Sequence, residues 1–179
     1  MLKEDFDKSI KNLSNIPGIY GSDEYLNSSV LLLLTLIDNE YHMVFEKRSM
    51  NIRQGGEICF PGGRYDVDKD LNYEETALRE TYEELGIPED KIRIVGRLDT
   101  IVALMGQIIH VYVGVTETKI EEMKINKYEV EKVFSIPVSY FEQNRPEEHS
   151  IMVKSYPSYI DENTKEEVVL LPSKELNLP

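Results

Sequence analysis

Residues 60–87 read FPGGRYDVDKDLNYEETALRETYEELGI, and the placement of charge in this stretch points to both the fold and the chemistry. The spacing predicts a helix over residues 71–85, stopped by Gly86 and Pro88. On that helix Glu80, Glu83 and Glu84 stand at i, i+3 and i+4 and share one face. Like charges so placed repel, and either solvent or a divalent cation must relieve them. Leu78, Thr81 and Leu85 lie roughly opposite, so the less polar side is expected to pack inward while the acidic side faces an opening. Arg79 precedes Glu83 by one helical turn and can hold its carboxylate in place. An arbitrary glutamate-rich helix is usually a solvated face. Arg79, Gly86 and the preceding Phe60-Pro61-Gly62-Gly63 set this one apart.

The string Arg79-Glu80-x-x-Glu83-Glu84-x-Gly86-Ile87 resembles the second half of the signature of the Nudix hydrolases, enzymes that hydrolyse nucleoside diphosphates linked to another moiety. In the first half, the loop between Gly63 and Arg79 is two residues longer than the family pattern, leaving Asp66, Asp68 and Asp70 as candidates for the loop carboxylate. Upstream, Arg48-Ser49-x-x-x-Arg53 followed by Gly56-Glu57-Ile58-Cys59-Phe60-Pro61-Gly62-Gly63 is similar to the added motif of the coenzyme A pyrophosphatase branch, with one residue fewer between Arg53 and Gly56. The run His110-Val111-Tyr112-Val113-Gly114-Val115 resembles the strand that follows the signature helix in the same branch. The resemblance runs over residues 44–141.

It implies an α+β fold, a mixed-sheet α/β/α sandwich, and a metal-dependent pyrophosphohydrolase. Mg2+ or Mn2+ would be held by Glu80 and Glu84, with Glu83 as ligand or water-orienting base; magnesium favours a few carboxylate oxygens shared with phosphate. Glu83, Glu84 and Arg79 would serve catalysis, and Glu129, on a later loop, is a further candidate base. Gly62 and Gly63 would let the backbone approach metal or phosphate closely. Arg48 and Arg53 would grip phosphate with their planar forks, the competing reading being ordinary surface ion pairs. The substrate implied is coenzyme A or an acyl derivative, giving adenosine 3',5'-bisphosphate and 4'-phosphopantetheine. ADP-ribose or another nucleoside diphosphate derivative is the alternative. A non-catalytic nucleotide-sensing module is a rival of another class, against which the intact Arg79, Glu80, Glu83 and Glu84 weigh.

Composition bounds these readings. The chain has 179 residues, expected to form one domain over residues 1–179; the apolar C-terminal helix usual in the branch is not seen in the sequence, which leaves either its absence or an incomplete sequence. A net charge of -13 argues against nucleic-acid binding, leaving a small-molecule nucleotide as the expected partner; nothing in the sequence speaks to oligomeric state. Locally Lys47, Arg48, Arg53 and Arg64 form a basic patch suited to a diphosphate. The apolar run over residues 30–37 is too short to span a bilayer and the N-terminus lacks a signal-peptide core, so a cytoplasmic protein with no membrane contact is expected. Cys59, the single cysteine, reads as an inert buried thiol. His42, His110 and His149 are scattered without metal spacing. Asp66-x-Asp68-x-Asp70 starts like a calcium loop, but Leu71 and Ala77 stand where glycine and glutamate are required. Tyr112, Phe134 and Tyr140 read as core rather than as a base-stacking platform, the alternative being that one of them flanks an adenine.

Outside the acidic helix, Phe6, Ile10 and Leu13 predict a helix over residues 3–13, ended by Pro17-Gly18. Strands are predicted over residues 28–36 and 41–45 about an Asp38-Asn39 turn, then 57–60, broken by Pro61-Gly62-Gly63. Further strands fall at 92–98, 108–115 and 128–134, with a short helix at 138–143. Residues 152–156 and 168–171 predict a hairpin across Asp161-Glu162-Asn163.

Overall fold

The computed structural model describes residues 3–11, 18–103, 106–154 and 156–171. They fall into two compact units, residues 1–144 and 145–179. The first opens with helix α1 (Lys3–Lys11); Leu13 and Pro17 lie outside the described residues. Strand β1 (Leu26–Ile37) alternates, burying Leu31, Leu33 and Thr35 on one face. Asp38 and Asn39 adopt φ of 48° and 66°, the backbone of a two-residue hairpin turn, which these short polar residues tolerate. Strand β2 (Glu40–Arg48) therefore returns antiparallel, Leu34 opposite Met43 and Ile37 opposite Glu40.

The strand expected over residues 57–60 is present in shortened form, and a second short strand follows it. β3 (Ile58–Cys59) pairs with β2, and β4 (Gly62–Arg64) pairs with β1. β3 ends before Pro61-Gly62-Gly63 as expected, but Gly62 and Gly63 then lie within a strand of their own, opposite Val30 and Ser29. Pro61 sits at the transfer between the two, where its missing N–H costs nothing and its carbonyl accepts from Leu31 N at 2.9 Å.

Helix α2 (Tyr73–Leu85) starts two residues later than expected because Asn72 caps it, accepting from Glu74 N and Glu75 N at 2.9 and 3.0 Å. Gly86, at φ 69°, ends it. The last carbonyls are satisfied from outside, Leu85 O by Lys124 N and Glu84 O by Asn126 N, each at 2.9 Å. Strands β5 (Ile92–Arg97) and β6 (Ile101–Ala103) run antiparallel to β7 (Gln107–Thr116), which lies parallel to β1 from Gln107 opposite Leu26 to Thr116 opposite Thr35. β8 (Val130–Pro137) adds to β2 and leads into α3 (Val138–Gln143). The main strand order is β3-β2-β1-β7-β5, and its one parallel pair, among the described residues, makes it the mixed sheet of an α+β fold.

Ala77, Thr81 and Leu85 recur every turn on the buried side of α2. Ala77 and Leu85 pack with Leu31, Leu33, Val44, Ile87 and Tyr112, all fully or nearly fully buried. Each large side chain contributes about 1.5–3 kcal/mol by leaving water. Elsewhere in the sheet Phe45 stacks on Phe60 at 4.8 Å and Phe134 at 5.8 Å. Tyr140, expected in the core, is exposed, since α3 directs Phe141 toward Phe45 instead.

In the second unit β9 (Ser158–Ile160) pairs with β10 (Glu167–Val169). Of the expected first strand over residues 152–156, residue 155 lies outside the described residues and the others are not in a strand; the strand found, β9, lies nearer the turn. Asp161 Oδ1 accepts from Asn163 N and Thr164 N, and this local turn fixes the register with Glu167 opposite Ile160. No helix among the described residues is long and apolar enough to cross a membrane.

Candidate active site

Packing of α2 against β1 and β4 brings the glutamates to the two glycines. Glu84 Oε2 accepts the Gly62 N–H at 2.9 Å. Glu84 is 5% exposed, so the acidic side of the helix does not simply face an opening as expected. It lies between the inward-facing Thr81 and Leu85, and the Gly62 amide makes its burial tolerable. Gly62 has φ 152°, and a Cβ there would stand 2.6 Å from Val30 Cα. A Cβ on Gly63 would lie 2.5 Å from Glu80 Oε1, so this glycine leaves the space in which the Glu80 carboxylate rests.

Arg79 ties the next layer together. Its Nε and Nη2 donate to the two oxygens of Asp70 at 2.7 and 2.9 Å, a bidentate pair. Nη1 donates to Glu80 at 2.9 Å and to Glu83 at 3.3 Å. The expected pair with Glu83 is present, but Asp70 is the main partner. Asp70 also accepts from Thr76 Oγ1 and Asp66 N, and the Arg79 guanidinium foremost holds its carboxyl down to about 2. Of the three loop aspartates, Asp70 is thus the one delivered to the helix, whereas Asp66 accepts from Asp68 N in a local turn.

A residue that sequence reasoning passed over joins this cluster. Glu46 on β2 is 1% exposed, and its Oε1 accepts the Cys59 thiol at 3.4 Å. The period-two pattern of β2 held the signal: Val44 is fully buried, and Glu46 repeats its face. Burial first, and then the Glu46 charge, push the Glu84 carboxyl well above its ordinary range; burial, with the charges of Glu129 and Glu80, does the same to Glu46. Glu80 is raised by burial and by the charges of Glu83 and Glu129, against the opposing pull of Arg79. Cys59 is pushed up to about 12 by burial and Glu46, so it stays an unreactive thiol. Glu129, the further candidate base, sits just before β8, where the loop that caps α2 leaves it close to Glu46 and Glu80.

Five carboxylates therefore gather here, Glu46, Glu80, Glu83, Glu84 and Glu129, joined through their mutual charge effects. Among the described residues no three acidic, thiol or imidazole groups stand, as placed, where they could hold a metal ion together. Arg79 holds oxygens of Glu80 and Glu83, and Gly62 holds one of Glu84. The donor set still fits a hard divalent ion: all oxygen, crowded beyond what Arg48 and Arg79 neutralise, with Glu46 Oε2 buried and unpartnered.

Arg48 borders the cluster, its Nε donating to Arg53 O at 3.2 Å, and its charge lowers both Glu46 and Glu84. The Arg53 side chain is exposed. Lys47 points to the opposite face and pairs with Glu131 at 2.8 Å, the ordinary surface partnership. Within the first unit, His42 and His110 have partners other than the clustered glutamates. His110 stacks on Tyr73 at 3.6 Å and bonds Arg97, His42 meets Ser135, and His149 is exposed beside Glu147. On the far side of the sheet from α2, Val30, Leu32, Phe60, Leu98, Ile109 and Val111 line an apolar groove of about 790 Å³ that Cys59 also borders.

A loop-helix carrying clustered glutamates against a two-glycine strand defines a class. Residues 27–159 match the family described as NUDIX domain, and the chain belongs to that family. It is 36% identical over 146 residues to "Nudix hydrolase 3" of Caenorhabditis elegans, covering 76% of this chain and 59% of that protein. It is 34% identical over 137 residues to "Peroxisomal coenzyme A diphosphatase ndx-8" of the same organism, covering 75% and 57%. The mouse "Peroxisomal coenzyme A diphosphatase NUDT7" matches at 35% over 115 residues, covering 63% and 48%. The chain thus spans less than two thirds of the length of these curated relatives. Among solved structures the fold is shared with the Nudix hydrolase RenU from M. Smegmatis, at TM-score 0.55 and 15% identity over 66% of this chain and 74% of that one. It is also shared with the NUDIX domain of Shewanella oneidensis NrtR, at TM-score 0.52 and 19% identity over 80% and 88%.

Proposed function

We propose that this chain is a metal-dependent pyrophosphohydrolase that cleaves the diphosphate of coenzyme A or acyl-coenzyme A, releasing adenosine 3',5'-bisphosphate and (acyl-)4'-phosphopantetheine. The observation that carries this reading is the seating of Glu80 and Glu84 against Gly63 and Gly62, which concentrates negative charge where a glycine backbone admits close approach. Glu80 and Glu84 would hold Mg2+ or Mn2+, which supplies neutralisation of the diphosphate and a bound water more acidic than bulk. Arg79 acts as a positioning residue, fixing Glu80 and Glu83 while Asp70 fixes it in turn. Glu83, half exposed, and Glu129 are the carboxylates with room to take the proton of the attacking water. Arg48, and Arg53 on the loop beside it, offer forked donors to phosphate oxygens. The apolar groove beside Phe60 offers a surface for a pantetheine or acyl arm. The coenzyme A assignment draws further support from the two relatives named as coenzyme A diphosphatases and from the Arg48-Ser49 to Gly63 motif.

Purified protein given Mg2+ or Mn2+ and coenzyme A should release both products, detected chromatographically. Failure with coenzyme A alongside ready cleavage of ADP-ribose or a dinucleotide would replace the substrate. Glu84→Gln keeps an acceptor for Gly62 N–H, and it should lower kcat by about 100-fold or more while the thermal transition persists. Unchanged turnover would place the chemistry elsewhere.

A further inference from the structure

The carboxylate of Glu46 has no partner that explains its burial. Its residue is 1% exposed, yet Oε1 receives a single weak bond from a thiol at 3.4 Å and Oε2 receives none. Among the described residues it forms no ion pair; Arg48 is the cation whose charge reaches it. The remaining charges upon it, Glu129 and Glu80, are like in sign, and it is itself the strongest like charge acting on Glu84. An enclosed carboxylate facing other carboxylates is strongly unfavourable unless a cation completes the group. A structural role would be served as well by an apolar side chain, since Val44 on the same face packs fully buried.

Its location says which cation. Glu46 enters from the sheet, whereas Glu80 and Glu84 enter from α2, and β3 and β4 connect the two sides: Cys59 touches Glu46, and three residues on, Gly62 touches Glu84. We propose that Glu46 is a ligand of the divalent ion, reaching it from β2 opposite the two helix glutamates, so that Mg2+ or Mn2+ is held between sheet and helix. Carboxylates from two rigid elements fit the oxygen-rich shell of such an ion, and binding then relieves the crowding built into the metal-free fold. This inference rests on the metal-dependent reading above, and it adds that the metal-free protein carries a destabilising group.

The test uses the full chain, with Mn2+ alone as probe and no substrate. Kd is measured by electron paramagnetic resonance of free Mn2+ and by calorimetry, and the thermal midpoint is recorded in chelator. For Glu46→Gln, Mn2+ affinity should fall about tenfold or more, while the midpoint in chelator rises by about 2–4 °C as the buried charge is removed. The opposite pairing, unchanged affinity with a lowered midpoint, marks a structural hydrogen bond and overturns the proposal; a Glu46→Gln protein that does not fold overturns it equally. Wild type that binds no Mn2+ would defeat the metal reading as a whole. Wild type that binds, with Glu84→Gln weakened and Glu46→Gln unchanged, would defeat this inference alone.

Discussion

Arg79 is the hinge of the electrostatics because it touches three carboxylates at once, and Asp70 is what keeps it there. The Asp70 side chain is 1% exposed and takes both prongs of the guanidinium. Its carboxyl lies at about 2 in the fold against an ordinary 3.8, equivalent to roughly 2 kcal/mol. The folded state holds the proton less tightly, so this stabilisation is complete above the unfolded value near pH 4 and is lost as pH falls through about 2. Asp70→Asn should therefore destabilise by about 2–3 kcal/mol at pH 7 in urea titrations, and the gap to wild type should close between about pH 4 and pH 2. A gap that persists undiminished at pH 2 would mean that shape, not charge, is what Asp70 contributes. The spacing of Arg79 and Glu83 was readable along one helix, whereas the Asp70 partnership needed the loop to fold back, which a spacing rule does not encode.

Strand β4 separates stability from activity within two adjacent residues. A methyl group on Gly62 meets backbone, the Ser29 carbonyl and Val30 Cα, and the positive φ adds strain. A methyl group on Gly63 meets the end of the Glu80 side chain, which can swing aside. Gly62→Ala should cost about 3 kcal/mol or more in unfolding free energy. Gly63→Ala should leave stability within about 1 kcal/mol while lowering turnover and Mn2+ affinity together. Equal losses of stability in both variants would contradict this division. Pro-Gly-Gly signals the break that ends β3 but gives no sign of β4, because pairing of the glycines with β1 is a long-range event. The capped ends of α2, by contrast, were close to legible because Gly86 acts through its own backbone.

Taken over the whole chain, the net charge of -13 opposes any anionic substrate at distances beyond the reach of Arg48, Arg53 and Arg64. Salt screens the long-range repulsion more than the short contacts at the site. The value of kcat/KM for a diphosphate substrate should accordingly rise, by about twofold, as KCl goes from about 20 to about 150 mM. A decrease would show that the local arginines, rather than the overall charge, govern encounter. The sheet that carries the site joins β1 to β7 in parallel across most of the first unit, so its assembly depends on contacts far apart in sequence.

Local order along the chain was enough to specify the acidic helix, its glycine stop, the Asp38-Asn39 hairpin and α3, because capping, helical periodicity and turn conformation act between near neighbours. The family, and with it the mixed sheet, also followed from a short run of residues around Arg79. Long-range packing alone buried Glu84, recruited Asp70 and carried Glu46 in from a strand well before the helix. Burial and charge crowding belong to the space that several elements enclose together, and no single segment contains that information.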